Sequence, residues 1–188
     1  MLKEMLELII KAKPNAAHRG LTLMEEVGLI NSVITQNEDG RHQAAGSKNV
    51  IEFHGTHRFL SRLDCGLTKE VSMSSLQQLP TKCPNCETLL KPEVILFGEP
   101  ISEEAYAMVH DEAQSCYLEL VLGASAGVPL AADIPRLAKV HGASVAGANL
   151  EETFLTRDVS DYRILGPCAT TIPEIVKRVR AQRELQER

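Results

Sequence analysis

Short runs of β-branched and aliphatic residues alternate with helical stretches along most of this chain, and that alternation limits its fold more than any other feature. Ser32-Val33-Ile34-Thr35 and Val50 to Phe53 are β-rich, and Pro92 to Phe97, Tyr117 to Leu122 and Ala143 to Ala146 read as further extended segments. Met1, Leu2, Met5, Leu6, Ile9 and Ile10 share one helical stripe. A second helix is expected to carry Pro14 in its first turn and to end by Gly28. Other helices are expected near Glu103 to Gln114, near Ala131 to Val140 and from Ile172-Pro173 onward, with a short one inside the polar loop Gln36 to Gly46. Strands that alternate with helices predict an α/β fold, a parallel sheet covered by helices.

From Arg58 to Leu90 the pattern breaks, and Cys65, Cys83 and Cys86 fall within the break. This reads as a small module inserted into the α/β unit. The pair in Cys83-Pro84-Asn85-Cys86 suits zinc, because both thiolates of such a knuckle reach one tetrahedral ion. A ribbon-like site needs a second knuckle about fifteen to twenty residues away. Here it is incomplete: the residue three before Cys65 is Arg62, which has no lone pair to offer. His57, Asp64 or water would have to complete a site built on the three cysteines. The same residues also suit free thiols in a metal-free hairpin.

The chain has 188 residues and a formal net charge of −5, so no global field draws polyanions. Its basic end, Lys177 to Arg188, is interrupted by Glu184 and Glu187 and reads as a solvated helix face. Direct nucleic-acid binding is therefore not expected. No apolar run approaches the ~20 residues of a membrane span, so no membrane partner is expected either. No secretory leader is read at the start, and the five cysteines are an odd number. A cytoplasmic, reducing compartment is the expectation, with cysteines as metal ligands or buried thiols.

Two strand ends gather polar groups. Gln36, Asn37 and Asp39 follow the first β-rich run, and His54 follows the second, so amide, carboxylate and imidazole can converge at the carboxyl ends of neighbouring strands. A histidine there can serve as a general base, or simply as a hydrogen-bonded structural residue. Later, Tyr117 to Leu122 runs into Gly123-Ala124-Ser125, where small residues admit a ligand to backbone amides or merely form a tight turn.

Lys13-Pro14-Asn15 with His18, Thr35-Gln36-Asn37, Asp39-Gly40 with His42, Ala45-Gly46-Ser47-Lys48-Asn49 and His54-Gly55 occur in the order of sirtuin signatures. Cys83-Pro84 with Cys86, Phe97-Gly98-Glu99, Gly123 with Ser125, Asn149 with Glu152-Thr153, and Gly166-Pro167 continue that order to about Val179. The chain thus resembles the sirtuin (Sir2) family of NAD-dependent protein-lysine deacylases, and is most similar to its bacterial and mitochondrial subgroup. The resemblance implies a discontinuous Rossmann-like domain, residues 1–57 and 91–188, with a zinc-ribbon-like module over 58–90. It implies NAD and zinc as cofactors and an acyl-lysine protein or peptide as partner, the acyl group passing to ADP-ribose as nicotinamide leaves. It implies His54 as base, assisted by Asn37 and Asp39. Gln36, Asn37, Asp39, Gly123, Ser125 and Asn149 would contact NAD, and Val94, Phe97, Gly98 and Glu99 the peptide. Cys65, Cys83 and Cys86 would hold structural zinc.

The departures from the family pattern carry their own expectations. The family's opening strand and glycine-rich phosphate loop are not found before Lys13, where Met1 to Lys11 reads as a helix, so the sheet is expected to lack its first strand and to leave the neighbouring strands unpaired. Glu38 stands for a usual isoleucine, Arg41 for a leucine, Arg62 for a zinc cysteine and Ala124 for a threonine. A carboxylate at position 38 is expected to be desolvated or to have a raised pKa. Two readings stay open: a working deacylase, or a truncated, inactive sirtuin-like protein that acts only by binding NAD or a partner.

Overall fold

The computed structural model describes residues 2–62, 64–78, 80–96, 98–125, 127 and 130–186. Helix α1 (Leu2–Lys11) is followed by α2 (Ala16–Glu26), β1 (Val33–Thr35), α3 (Arg41–Ala45) and β2 (Val50–Glu52). Next come β3 (Gly55–Ser61), β4 (Thr68–Glu70) and β5 (Lys91–Val94). The remainder is α4 (Glu103–Ser115), β6 (Leu118–Leu122), α5 (Ile134–Val140), β7 (Ser144–Asn149), β8 (Tyr162–Leu165) and α6 (Cys168–Gln186). Among the described residues these strands form three sheets: parallel β1–β2, antiparallel β4–β3–β5 and parallel β6–β7–β8. The α/β class follows the sequence reading. β1 pairs only with β2, and β6 only with β7, so each keeps one edge that no described strand pairs.

Local chemistry sets the helix ends. Asn15, not Pro14, starts α2: its side chain accepts from the amides of Ala17 (2.9 Å) and His18 (3.2 Å), and its own amide donates to Nδ1 of His18 (3.3 Å). This reciprocal box satisfies donors that a helix start otherwise leaves unpaired, so Pro14 lies outside the first turn. Gly28 closes the helix with a left-handed φ of 69°. Ser102 caps α4 through a 3.1 Å bond from the Ala105 amide, with Glu103 and Glu104 in the first turn. Such acids suit the positive end of the helix dipole.

Three expectations about element bounds need correction. α6 begins at Cys168 rather than at Ile172-Pro173, because the Pro167 carbonyl accepts from the amides of Thr170 and Thr171 at 3.0 Å each. Pro173 sits inside the helix, where it lacks one N–H. β7 runs to Asn149, beyond Ala146, because the small residues Ala146, Gly147 and Ala148 let neighbours pack close: a Cβ on Gly147 would lie 2.5 Å from Ser160 Oγ. β5 ends at Val94, short of the extended run read from Pro92 to Phe97, as the Leu96 amide bonds to the Glu99 carboxylate rather than to a strand.

Two clusters of apolar side chains hold the parallel sheets. On one side Ala17, Leu21 and Met24 of α2 meet Ile172 and Val176 of α6, with Leu120 and Leu122 of β6 against them. The helices approach so closely that a Cβ on Gly20 would lie 2.7 Å from Ile172 Cγ2. On the other side Ile51 and Phe53 pack with Val109 and Ala113 of α4 and with Ile134 and Ala138 of α5. A small third cluster of Leu60, Cys83 and Leu90 sits under the antiparallel sheet. Among the described residues no helix is long and apolar enough to cross a membrane.

Glu119 is the exception in this packing. Side chains alternate along a strand, so Glu119 occupies the face of β6 opposite Leu120 and Leu122. Its Oε2 is buried with no hydrogen-bond partner, and burial pushes its pKa up to about 7. Between pH 4.5 and about 7 the native protein keeps a proton that the unfolded chain releases, so this carboxyl costs stability as pH rises through that window. At about 1.4 kcal/mol per pKa unit, the cost reaches roughly 3 kcal/mol above pH 7. Glu119→Gln is therefore expected to unfold at higher denaturant concentration than the native sequence at pH 8. The two should converge near pH 4, as followed by urea titration at both pH values.

Candidate active site

The polar groups flagged in the sequence sit where parallel strands end. Ladder bonding carries past β2: the Phe53 amide donates to the Thr35 carbonyl at 3.0 Å, which fixes Gln36 beside His54. Gly55 then reverses the chain into β3, with φ at 79°. A Cβ there would lie 2.0 Å from the Glu93 carbonyl, so only glycine lets β5 run this close. The Ile95 amide donates to the His54 carbonyl at 2.9 Å, and the Phe53 ring lies 5.3 Å from the imidazole. His54 is thus held by its backbone, half-buried, with its ring also hydrogen-bonded to the Gln36 backbone. Desolvation pushes its pKa below the ordinary value, and a hydrogen bond with the Gln36 backbone partly offsets that. The lowered pKa favours the neutral imidazole, the state a base requires.

Around it, Asn37 is exposed, its amide donating to Thr35 Oγ1 at 3.1 Å. Asp39 accepts from the Arg41 amide at 3.0 Å, and its other oxygen lies 3.3 Å from the Arg41 guanidinium. The Arg41 that replaces a leucine thus engages the acid expected to hold a carboxamide. Glu38 lies with Oε2 3.0 Å from Nδ1 of the buried His57, and its carbonyl accepts the His57 amide at 2.8 Å. Burial raises the Glu38 pKa and lowers that of His57. The sequence reading anticipated the raised carboxyl and missed its partner, because nothing in the local pattern joins two residues on different elements. The His18 and His42 rings lie in tilted contact, with centroids 4.7 Å apart and planes at 52°. A cleft of about 180 Å³ opens beside Asp39, Gly40 and Arg41, closed on its far side by Leu6, Ile9 and Ile10 of α1.

The second set stands at the ends of β6 and β7. Gly123 has φ of 63°, and its amide donates to the Ala148 carbonyl at 2.9 Å. Asn149 ties the two strand ends, donating from Nδ2 to the Ala124 carbonyl at 3.1 Å while its Oδ1 accepts from the Leu150 amide at 2.8 Å. Ser125 follows, exposed. Of the segment expected to meet a peptide, Val94 is buried and pairs with Gly55, whereas Gly98 and Glu99 are exposed. Phe97 lies outside the described residues. The Glu99 carboxylate accepts from the Leu96 amide at 2.9 Å and pairs with Lys91, which holds its pKa below the usual range.

The cysteines converge as expected. The Sγ atoms of Cys65, Cys83 and Cys86 lie within 4.8 Å of one another, and no imidazole or carboxylate among the described residues joins them. His57, one of the three suggested fourth ligands, is turned instead toward Glu38. Tetrahedral zinc bound by thiolates needs sulfurs about 3.8 Å apart, given Zn–S bonds near 2.3 Å, and Cys65 and Cys83 are 3.5 Å apart. Three corners of a zinc site therefore fit. Cys86 has its pKa lowered to about 7, chiefly by hydrogen bonds from Thr88.

Comparison with known proteins places this arrangement. Residues 1–129 match the model of the Sir2 family. A protein of Thermodesulfovibrio yellowstonii named NAD-dependent protein deacetylase is 41% identical over 157 residues, covering 81% of this chain and 61% of that protein. One of Thermococcus kodakarensis named NAD-dependent protein deacylase is 36% identical over 179 residues, covering 92% of this chain and 69% of that protein. A solved Sir2–p53 peptide–NAD+ structure superposes with a TM-score of 0.84 at 32% identity, over 90% of this chain and 72% of that one. The chain thus spans between three fifths and three quarters of these relatives, and with its Rossmann-like α/β fold and its cysteine cluster it belongs to the Sir2 family.

Proposed function

We propose that this chain serves an NAD-dependent protein-lysine deacylase, with His54 as its general base. The observation that carries this reading is the imidazole at the end of β2, held by Gln36 and Ile95, half-buried and with its neutral form favoured by desolvation. NAD, when bound, supplies the ribose carbon that takes the acyl oxygen as nicotinamide departs. His54 would then withdraw a proton from a ribose hydroxyl, which takes the acyl carbon, and a water would complete release of the free lysine and of the acyl ester of ADP-ribose. Gln36 and Asn37 orient the nicotinamide ribose, Asp39 holds the carboxamide, and Gly123, Ser125 and Asn149 line the phosphates and adenosine ribose. Val94, Phe97, Gly98 and Glu99 belong to the segment that would meet an acyl-lysine peptide. In this reading residues 1–57 and 91–188 make up the NAD-binding domain. Residues 58–90 form a module whose cysteines hold structural zinc, and the work is done in the cytoplasm without nucleic acid or membrane.

One observation favours the second reading, a sirtuin-like binder without turnover: Arg41 engages the Asp39 carboxylate. Nicotinamide release from NAD in the presence of an acetyl-lysine peptide separates the two. Turnover by the native sequence is expected, falling by about 10²–10⁴-fold in His54→Ala, the range of a lost general base. No release above the peptide-free control would leave only the binder.

The pH profile carries a sign. Because the His54 pKa is below 6.5, kcat/KM for NAD is expected to rise with pH to a midpoint under 6.5 and to stay flat from pH 7 to 8. A midpoint above 7 in initial-rate measurements would remove His54 as the titrating base.

A further inference from the structure

The three cysteines are carried by two tight turns. In the first, the Gly66 amide donates to the Arg62 carbonyl and the Arg62 amide to the Leu67 carbonyl, both at 2.9 Å, so Arg62 is fixed at the base of the turn that presents Cys65. In the second, the Glu87 amide donates to the Cys83 carbonyl at 2.8 Å and the Cys83 amide to the Thr88 carbonyl at 2.7 Å. The Arg62 guanidinium lies near the Cys86 sulfur and pairs with Asp64. A guanidinium cannot ligate a metal, the Asp64 carboxylate is turned to Arg62, and His57 Nδ1 faces Glu38, so neither joins the three sulfurs. Charge explains why a cation is tolerated there. Three thiolates around a divalent ion leave one net negative charge, and the Arg62 guanidinium, close to one of those sulfurs, offsets it.

We propose that Cys65, Cys83 and Cys86 form a three-thiolate metal site whose fourth position is open to a small exogenous ligand, water or a thiol, with Arg62 as its charge partner. This rests on the reading that the cluster holds zinc. When a thiol enters, the metal–oxygen bond to water breaks, the metal–sulfur bond forms, and the thiol proton passes to solvent. The metal keeps its oxidation state throughout. Closed four-cysteine sites have no such vacancy, so this site exchanges its ion and its fourth ligand faster than a closed one.

Cobalt(II) reports the donor set through its visible and charge-transfer bands. The full chain, reduced with a phosphine, is titrated with cobalt(II) alongside Arg62→Cys, and 2-mercaptoethanol is then added to each. The native sequence is expected to bind one cobalt per chain with a three-thiolate spectrum that gains sulfur charge-transfer intensity on adding the thiol. Arg62→Cys should show the four-thiolate spectrum from the start and no response to thiol. A competing chelator should strip zinc from the native sequence roughly tenfold or more faster than from Arg62→Cys. A native spectrum indifferent to thiol but altered in Asp64→Asn would overturn the proposal by showing a protein fourth ligand. Binding by Arg62→Cys alone would overturn it too, since Arg62 would then abolish the site rather than open it. Binding by neither would refute the zinc reading itself.

Discussion

Among the described residues the two parallel sheets share no ladder, so the arrangement of everything else rests on the helix pairs that clamp them. α2 and α6 meet through Gly20 and Ile172 and press on β6 from one side. α4 and α5 press on Ile51 and Phe53 from the other. Hydrogen bonds along β1–β2 and β6–β7–β8 order each sheet internally but say nothing about their relative placement. That placement comes from side-chain packing, which is dense and intolerant of added volume. Phe53 is the joint between this packing and the chemistry. It is almost fully buried and is the residue immediately before His54, so the imidazole is positioned by the core rather than by a loop.

Strand ends are where such a fold can afford polar backbone, because the amides there have no ladder partner and the crevice beyond them admits a ligand. Both polar sets follow that rule. His54 and Gln36 cap one parallel sheet; Gly123 and Asn149 cap the other. The antiparallel sheet joins the first of these through the chain, as β2 passes by way of His54 into β3, and the Ile95 amide bonds to the His54 carbonyl, so the segment after Val94 starts beside the histidine. Glycine at position 55 is therefore a geometric requirement, as its Cβ would collide with the Glu93 carbonyl.

What could be read from the sequence was whatever has a local signature. The β-rich runs became β1, β2, β5, β6 and β7, the apolar stripe became α1, and the polar strand ends fell where the alternation placed them. β3 and β4 were not visible, because one strand that mixes Thr56, His57, Arg58 and Phe59 and another that is exposed throughout show no period-two pattern. β8 is short and mostly exposed, with the same result. Pro173 misdirected the start of α6, since the signal for that start lies in the Pro167 carbonyl, a backbone group any residue supplies. Glu119 reads as one polar residue in an apolar strand; only the packing reveals that its oxygen is sealed off. The cysteine cluster was legible because knuckle spacing encodes geometry directly.

Three of the departures from the family pattern change meaning once partners are seen. Taken as isolated residues, Glu38, Arg41 and Arg62 look like charges dropped into a site that has lost its constraint. Each instead faces an opposite or acceptor group: Glu38 faces His57, Arg41 faces Asp39, and Arg62 faces Asp64 and the Cys86 sulfur. Partly exposed charge pairs of this kind contribute little net stability, so their importance lies in which group each charge engages. Reverting Glu38 to an apolar residue alone would leave His57 without its neighbour, and reverting Arg41 alone would free the Asp39 carboxylate. Each charge therefore meets a partner in this fold. The chemistry of the site has to be understood with those contacts in place.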